Sequence, residues 1–443
     1  MKIQLSDHFT YQRLLHFCLP SIVMMIFTSI YGVVDGLFVS NFVGKIPFAA
    51  INLVMPFIMI LGGFGFMIGT GGSALIAKTL GEGRHKLANR YFSMLIIMTV
   101  ILGLFLTTIG IVFARRVSIL LGATDVMLDD CVIYLRTVLL FISPFMLQNV
   151  FQSFLVTAQK PHAGLIVTII AGLTNMSLDA LFIVVFRWGV AGAALATGIS
   201  QCIGGLLPLI LFLGKNDSLL HLVPTRLEWR PFFLSCTNGM SELMGNISSS
   251  IVSMLYNFQL LNYAGENGIA AYGVLMYVQF IFIAVFFGYT IGVGPVIGYH
   301  YGAGNHAELK NLLRKSLKLN IITGISMTIL ANLFAGALSR IFVGYDPELY
   351  AMTKSAFHIF ALSFLVCGIN IFASAFFTAL NNGLVSAVIS FLRTLVFQVG
   401  SVLILPAFLG LTGIWLSNTF ADLMAMLISI IFLAAMRKRY HYA

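Results

Sequence analysis

Runs of about 20 or more apolar residues recur along the chain, separated by short polar turns in which glycine, lysine and arginine collect. Each run can cross a hydrocarbon layer of roughly 30 Å as a helix that satisfies its own backbone hydrogen bonds. Twelve such spans are read at 14–41, 47–77, 91–114, 131–158, 162–186 and 189–213, then at 232–262, 269–298, 312–339, 351–379, 384–406 and 410–436. The pattern also repeats. At a fixed spacing of 221 residues, Gly44 and Ala49-Ala50 answer to Gly265 and Ala270-Ala271, and Gly71 answers to Gly292. Gly81-Glu82-Gly83 answers to Gly302-Ala303-Gly304 and Gly192 to Gly413 at the same spacing. A unit that long exceeds solenoid repeats, which run to about 50 residues, so duplication of a whole helical bundle is expected.

Six spans per half is an even number, so both halves enter the membrane from one side as a parallel repeat. The expected fold is therefore an all-α integral membrane protein with twelve transmembrane helices in two six-helix lobes. The lobes are read as 1–213 and 232–443, and a polar linker at 214–231 containing Pro224 and Pro231 joins them. Two lobes around one central path describe a transporter.

Composition agrees: 59% of the 443 residues are hydrophobic and 9% charged, against about 25% charged in soluble domains. The net charge of +10 does not imply a nucleic-acid partner, because the cations sit in short loops beside apolar spans. Seventeen lysines and arginines fall on one side, among them Lys2, Lys78, Arg84, Lys215, Arg314 and Arg437, and seven on the other, including Arg115 and Arg340. That bias predicts both termini in the cytoplasm and a multi-pass protein of the cell inner (cytoplasmic) membrane. The first span is too long for a signal-peptide core and is expected to be retained. The loops GEGRHKLANR and GAGNHAELKNLLRK read as tight turns followed by basic helices along the headgroups. Cys18, Cys131, Cys202, Cys236 and Cys367 form no CxxC pair and no metal spacing. With no HExxH or nucleophile constellation in the spans, neither an enzyme nor a cofactor is expected, and the chain is expected to act as a monomer in the bilayer.

Charge inside a membrane costs several kcal/mol, so each buried ion is a functional candidate. Four acids qualify, Asp35, Asp179, Glu242 and Asp422, together with one base, Arg393. The 221-residue spacing pairs Asp35 with Tyr256, Asp179 with Gly400, Glu242 with Ser21 and Asp422 with Gln201, so the lobes share a scaffold but not a chemistry. Asp35, Asp179 and Thr197 each stand about 10–12 Å below the outer boundary at 1.5 Å per helical residue. Asn175 precedes Asp179 by four residues and shares its helix face. These four make an all-oxygen set suited to a sodium ion or a shared proton. Arg393 and Asp422 are read as a structural ion pair, with Glu242 as the other partner available to Arg393 or as an attractor of cationic substrate. Candidates for a substrate cavity are Gln152, Phe154, Met55, Met67, Tyr256, Asn257, Met276 and Glu242; helical periodicity alone does not say which face points inward. Pro20, Pro56, Pro144 and Pro295 can bend their spans.

The run LPSIVMMIFTSIYGVVDGLFVSNFVG, the following AAINLVMPF, the turn GTGGSALIAKTLGEG and the stretch TNMSLDALFIVVFRWGVAGAALATGISQ together resemble the multidrug and toxic compound extrusion (MATE) family, in its bacterial DinF-like or MepA-like branches. The resemblance implies proton- or sodium-coupled antiport of bulky, often cationic organic compounds or drugs. It also implies that Asp35, Asn175, Asp179 and Thr197 occupy the family's cation site. Glu242 resembles the seventh-span acid of other branches, where a second-lobe site is proposed, but the tenth-span aspartate expected beside it is absent, with Asn370 its nearest polar counterpart. The rival within the same superfamily is a lipid-linked oligosaccharide flippase, which would need more cationic residues to hold a pyrophosphate.

Overall fold

The computed structural model describes residues 3–214 and 217–442; Lys2 and Lys215 of the basic side lie outside them. Helices account for nearly all of the described chain, and no strand occurs among those residues. The first half comprises α1 (Tyr11–Phe42), α2 (Lys45–Gly81), α3 (His85–Leu120), α4 (Leu128–Leu139), α5 (Ile142–Thr157), α6 (Pro161–Asp179) and α7 (Gly189–Leu213). The second comprises α8 (Trp229–Asn238), α9 (Met240–Gly302), α10 (His306–Val343), α11 (Pro347–Phe360), α12 (Phe364–Ala379), α13 (Gly383–Phe391), α14 (Gln398–Ala435) and the short α15 (Arg437–Tyr440). Helices α4 and α5 form a single span bent by 56°.

Two helices fold back on themselves. The 63 residues of α9 would reach about 95 Å if straight. Instead α9 doubles back at Gly265 (φ 62°, ψ −152°), which stacks the rings of Tyr256 and Tyr272 at 4.7 Å. In the same way α14 doubles back at Gly410 (φ 58°, ψ −139°), bringing Gln398 Nε2 within 2.8 Å of Asn418 Oδ1. An L-residue in this region is strained, so glycine is what lets each hairpin close. Their first-half counterparts, Gly44 (φ 120°) and Gly189 (φ 57°), share the positive φ and separate α1 from α2 and α6 from α7. Counting each hairpin as two crossings gives twelve passes among the described residues, six per half.

Both chain ends lie on one face. Leu5 and Phe9 share a buried cluster with Tyr440 and Tyr442, and the Tyr440 ring meets that of Tyr301 at 5.7 Å. On this terminus-bearing side the halves meet backbone to backbone across small residues, the usual way for membrane helices to approach closely. The connector is fastened rather than slack: His221 N donates to Asn89 Oδ1 (3.1 Å), Val223 N to Ser93 Oγ (2.9 Å) and Arg90 to Glu228 (2.6 Å). All three first-half partners belong to α3.

Candidate coupling site and central cavity

Asp35 comes from α1, Asn175 and Asp179 from α6, and Thr197 from α7. Asp179 is fully buried and Asn175 nearly so. The two carboxyl groups lie close enough to interact, with Tyr134 of α4 beside them. Asp35 Oδ1, both carboxylate oxygens of Asp179, Asn175 Oδ1 and Thr197 Oγ1 are all buried without a hydrogen-bond partner. Buried polar atoms are nearly always paired, so five orphaned oxygens on the neighbouring helices α1, α6 and α7 form a candidate site. Oxygen donors of this kind suit a proton shared between carboxylates or a hard monovalent cation. Immediately after Asp179 the helix widens into a π segment, Ala180–Val185, a local distortion found mostly at functional sites.

The second lobe answers with neutral chemistry. At the 221-residue spacing Tyr256 stands for Asp35 and Asn418 for Thr197. Gln398 Nε2 donates to Asn418 Oδ1 there, and the Tyr256 ring is stacked on Tyr272. The remaining intramembrane charges lie elsewhere in that lobe. Arg393 Nε donates to Asp422 Oδ1 at 2.7 Å, and Asn370 Nδ2 donates to the Asp422 carbonyl at 2.8 Å. Arg393 also falls in a π segment, Leu392–Phe397. Glu242 takes no part in that pair.

Between the lobes lies a cavity of about 180 Å³, lined from α1, α2, α5, α9 and α12 by residues that include Met25, Phe66, Thr70, Glu242, Asn246 and Phe287. Among the described residues, Glu242 is its only charged lining residue. The other cavity candidates sit apart from that lining. Met67 and Phe154 are buried in a first-lobe core cluster, Phe154 against Phe92 at 5.5 Å, and Met55 packs on a neighbouring cluster. Tyr256 and Met276 belong to the second-lobe core, and Asn257 is exposed. Gln152 is buried beside the lining residue Ser153, with its Oε1 unpartnered. Sequence reasoning passed over Tyr134, Thr70 and Asn246. Their one signal, a polar side chain within an apolar run, is shared with residues such as Thr79 and Thr99, which like Thr70 and Asn246 bond the carbonyl four residues back.

Two six-pass halves around a shared cavity, with unpaired polar groups inside the spans, define a membrane transporter. The MatE family model matches the chain twice, over residues 20–181 and 243–404. The chain belongs to the MatE family. Among curated relatives it is 25% identical to the multidrug export protein MepA of Staphylococcus haemolyticus, over 97% of this chain and 94% of that one. The same identity is found to MepA of Staphylococcus saprophyticus, with the same coverage. Among solved structures it overlays a MATE crystal structure in complex with MaL6 with a TM-score of 0.93, at 21% identity over 98% of each chain. An outward-facing multidrug resistance MATE transporter of the MOP superfamily gives 0.92 at 21% identity, again over 98% of each.

Proposed function

We propose that this protein exports organic compounds, many of them cationic, from the cytoplasm in exchange for an inward-moving proton or sodium ion. The observation that carries the coupling is the set of five orphaned oxygens on Asp35, Asn175, Asp179 and Thr197. An ion there neutralises buried charge and lets α1 repack against α6, so occupied and empty forms favour different shapes. Exchange requires that ion and cargo weaken each other's binding. Cargo lies in the central cavity, where Glu242 attracts cations and Phe66 and Phe287 offer apolar contact. Export of drugs is supported by the MepA relatives, which are named for it. With Glu242 in the central cavity and Arg393 the single base inside the spans, too few cations are present to suit a pyrophosphate-bearing lipid, which argues against a flippase. The positive-inside bias supports cytoplasmic termini in the cell inner membrane, and one chain contains both halves of the path.

The test is drug-gradient formation in vesicles holding the purified full chain, with pH and sodium gradients imposed separately. Wild type should respond to one of them, and Asp35→Asn and Asp179→Asn should each abolish the response. Coupled flux that persists unchanged in either variant would reject the site.

A further inference from the structure

Arg393 is held by one edge only. Its Nε donates to Asp422 Oδ1, and its two terminal amino groups make no hydrogen bond to protein among the described residues. A guanidinium has five donors in a rigid fork, so one edge remains available. A small cavity of about 70 Å³ is lined by both Arg393 and Glu242, with Asn370, Ser374 and Ser390 around it. Glu242, Phe287, Thr290 and Ala375 line this recess and the central cavity alike, so the two adjoin. Opposite charges that are not paired with each other thus line two adjoining spaces. An ion pair serving structure alone would need neither a free edge toward a cavity nor a place in a π segment.

We propose that this second-lobe recess is an anion subsite, in which the free edge of Arg393 receives a carboxylate or sulfonate of the exported compound while Glu242 faces its ammonium group. Compounds carrying both charges are therefore favoured over their cation-only analogues. Asp422 and Asn370 act as positioning residues, fixing the guanidinium so that its terminal amino groups point to the recess. The inference rests on the export reading and narrows its substrate class.

The experiment compares a fluorescent amino acid-type dye bearing one ammonium and one carboxylate with its methyl ester, using the purified full chain. Wild type should bind the acid at least about tenfold tighter than the ester, the worth of one charge-assisted hydrogen bond. Equal affinity for the two dyes in wild type overturns the subsite without any mutation. Arg393→Gln alone leaves Asp422 buried and unpaired, so the informative variant is Arg393→Gln with Asp422→Asn, which keeps the local charge balanced. It should lose the preference for the acid and keep its affinity for the ester; equal weakening of both, or a retained preference, counts against the proposal. Efflux from vesicles separates the two readings. If neither dye is exported the transport reading fails, whereas export of both dyes without acid preference removes only the subsite.

Discussion

Gly81 of α2 and Gly302 of α9, 221 residues apart, each press on the backbone of the other's helix. A Cβ on Gly81 would lie 2.0 Å from the Tyr299 carbonyl oxygen, and one on Gly302 would lie 2.0 Å from that of Lys78. Since Lys78 and Tyr299 are also 221 residues apart, the two contacts are one contact seen twice, related by the pseudo-twofold of the duplication. The next layer repeats the rule: Gly71 meets Gly239, and Gly292 meets Cys18, the residue 221 positions before Gly239. The terminus-bearing side is therefore sealed by main chain against main chain, with no room for even a methyl group.

Enlarging either glycine should hold this seal open. Gly81→Leu and Gly302→Leu are each expected to destabilise the closed side by about 1–3 kcal/mol, the usual cost of overpacking. Cys18, fully buried in the seal, supplies the readout in a version whose other four cysteines are replaced. Its labelling by a maleimide should accelerate about tenfold or more in both variants. Unchanged labelling would show that the seal yields without opening.

The two lobes should respond differently to neutral substitutions at matching positions. Tyr256→Phe removes from the second lobe a buried hydroxyl that has no hydrogen-bond partner, so no loss of stability is expected. The dependence of transport on the imposed ion gradient should stay as in wild type. By contrast, Asp35→Asn at the paired position removes it. A Tyr256→Phe protein that loses its ion response while remaining folded would mean that both halves take part in coupling.

The segment before α1 should contribute to stability through the opposite lobe. Glu308 Oε1 accepts from Phe9 N (3.0 Å), Glu308 Oε2 lies 2.6 Å from His8 Nδ1, and Lys315 Nζ donates to the Phe9 carbonyl (2.6 Å). Glu308→Ala leaves a buried amide without its acceptor and should cost about 1–3 kcal/mol in detergent unfolding. His8→Ala should cost less than about 1 kcal/mol, since the His8 side chain is 66% exposed. Similar losses for both would place the stabilisation in the ion pair rather than in the buried backbone bond.

The duplication, the twelve passes and the turn glycines were legible because they depend on spacing and apolar length, which a sequence carries openly. The hairpins were less so. Residues 262–269 read as an ordinary loop between spans, whereas in α9 a single residue, Gly265, makes the turn and helix continues on either side. The common depth of Asp35, Asp179 and Thr197 followed from helical rise, but which way each side chain faced depended on how α1, α6 and α7 pack. Arg393 had two acids within reach on paper, and the return arm of α14 settled its partner as Asp422. Cavity lining was the least legible property: most methionines and aromatics fill cores, as Met67 and Phe154 do, and the phase of each helix is set by its neighbours. The docking of the connector on α3 left no signal, because Asn89 and Ser93 look like any polar residues at a helix start.

That docking has a mechanical corollary. With residues 221–228 stitched to the first half, the hand-over from one half to the other falls at the junction of Glu228 with Trp229, where α8 begins. The tether is thus a stub of almost no length, which leaves no slack leash between the halves.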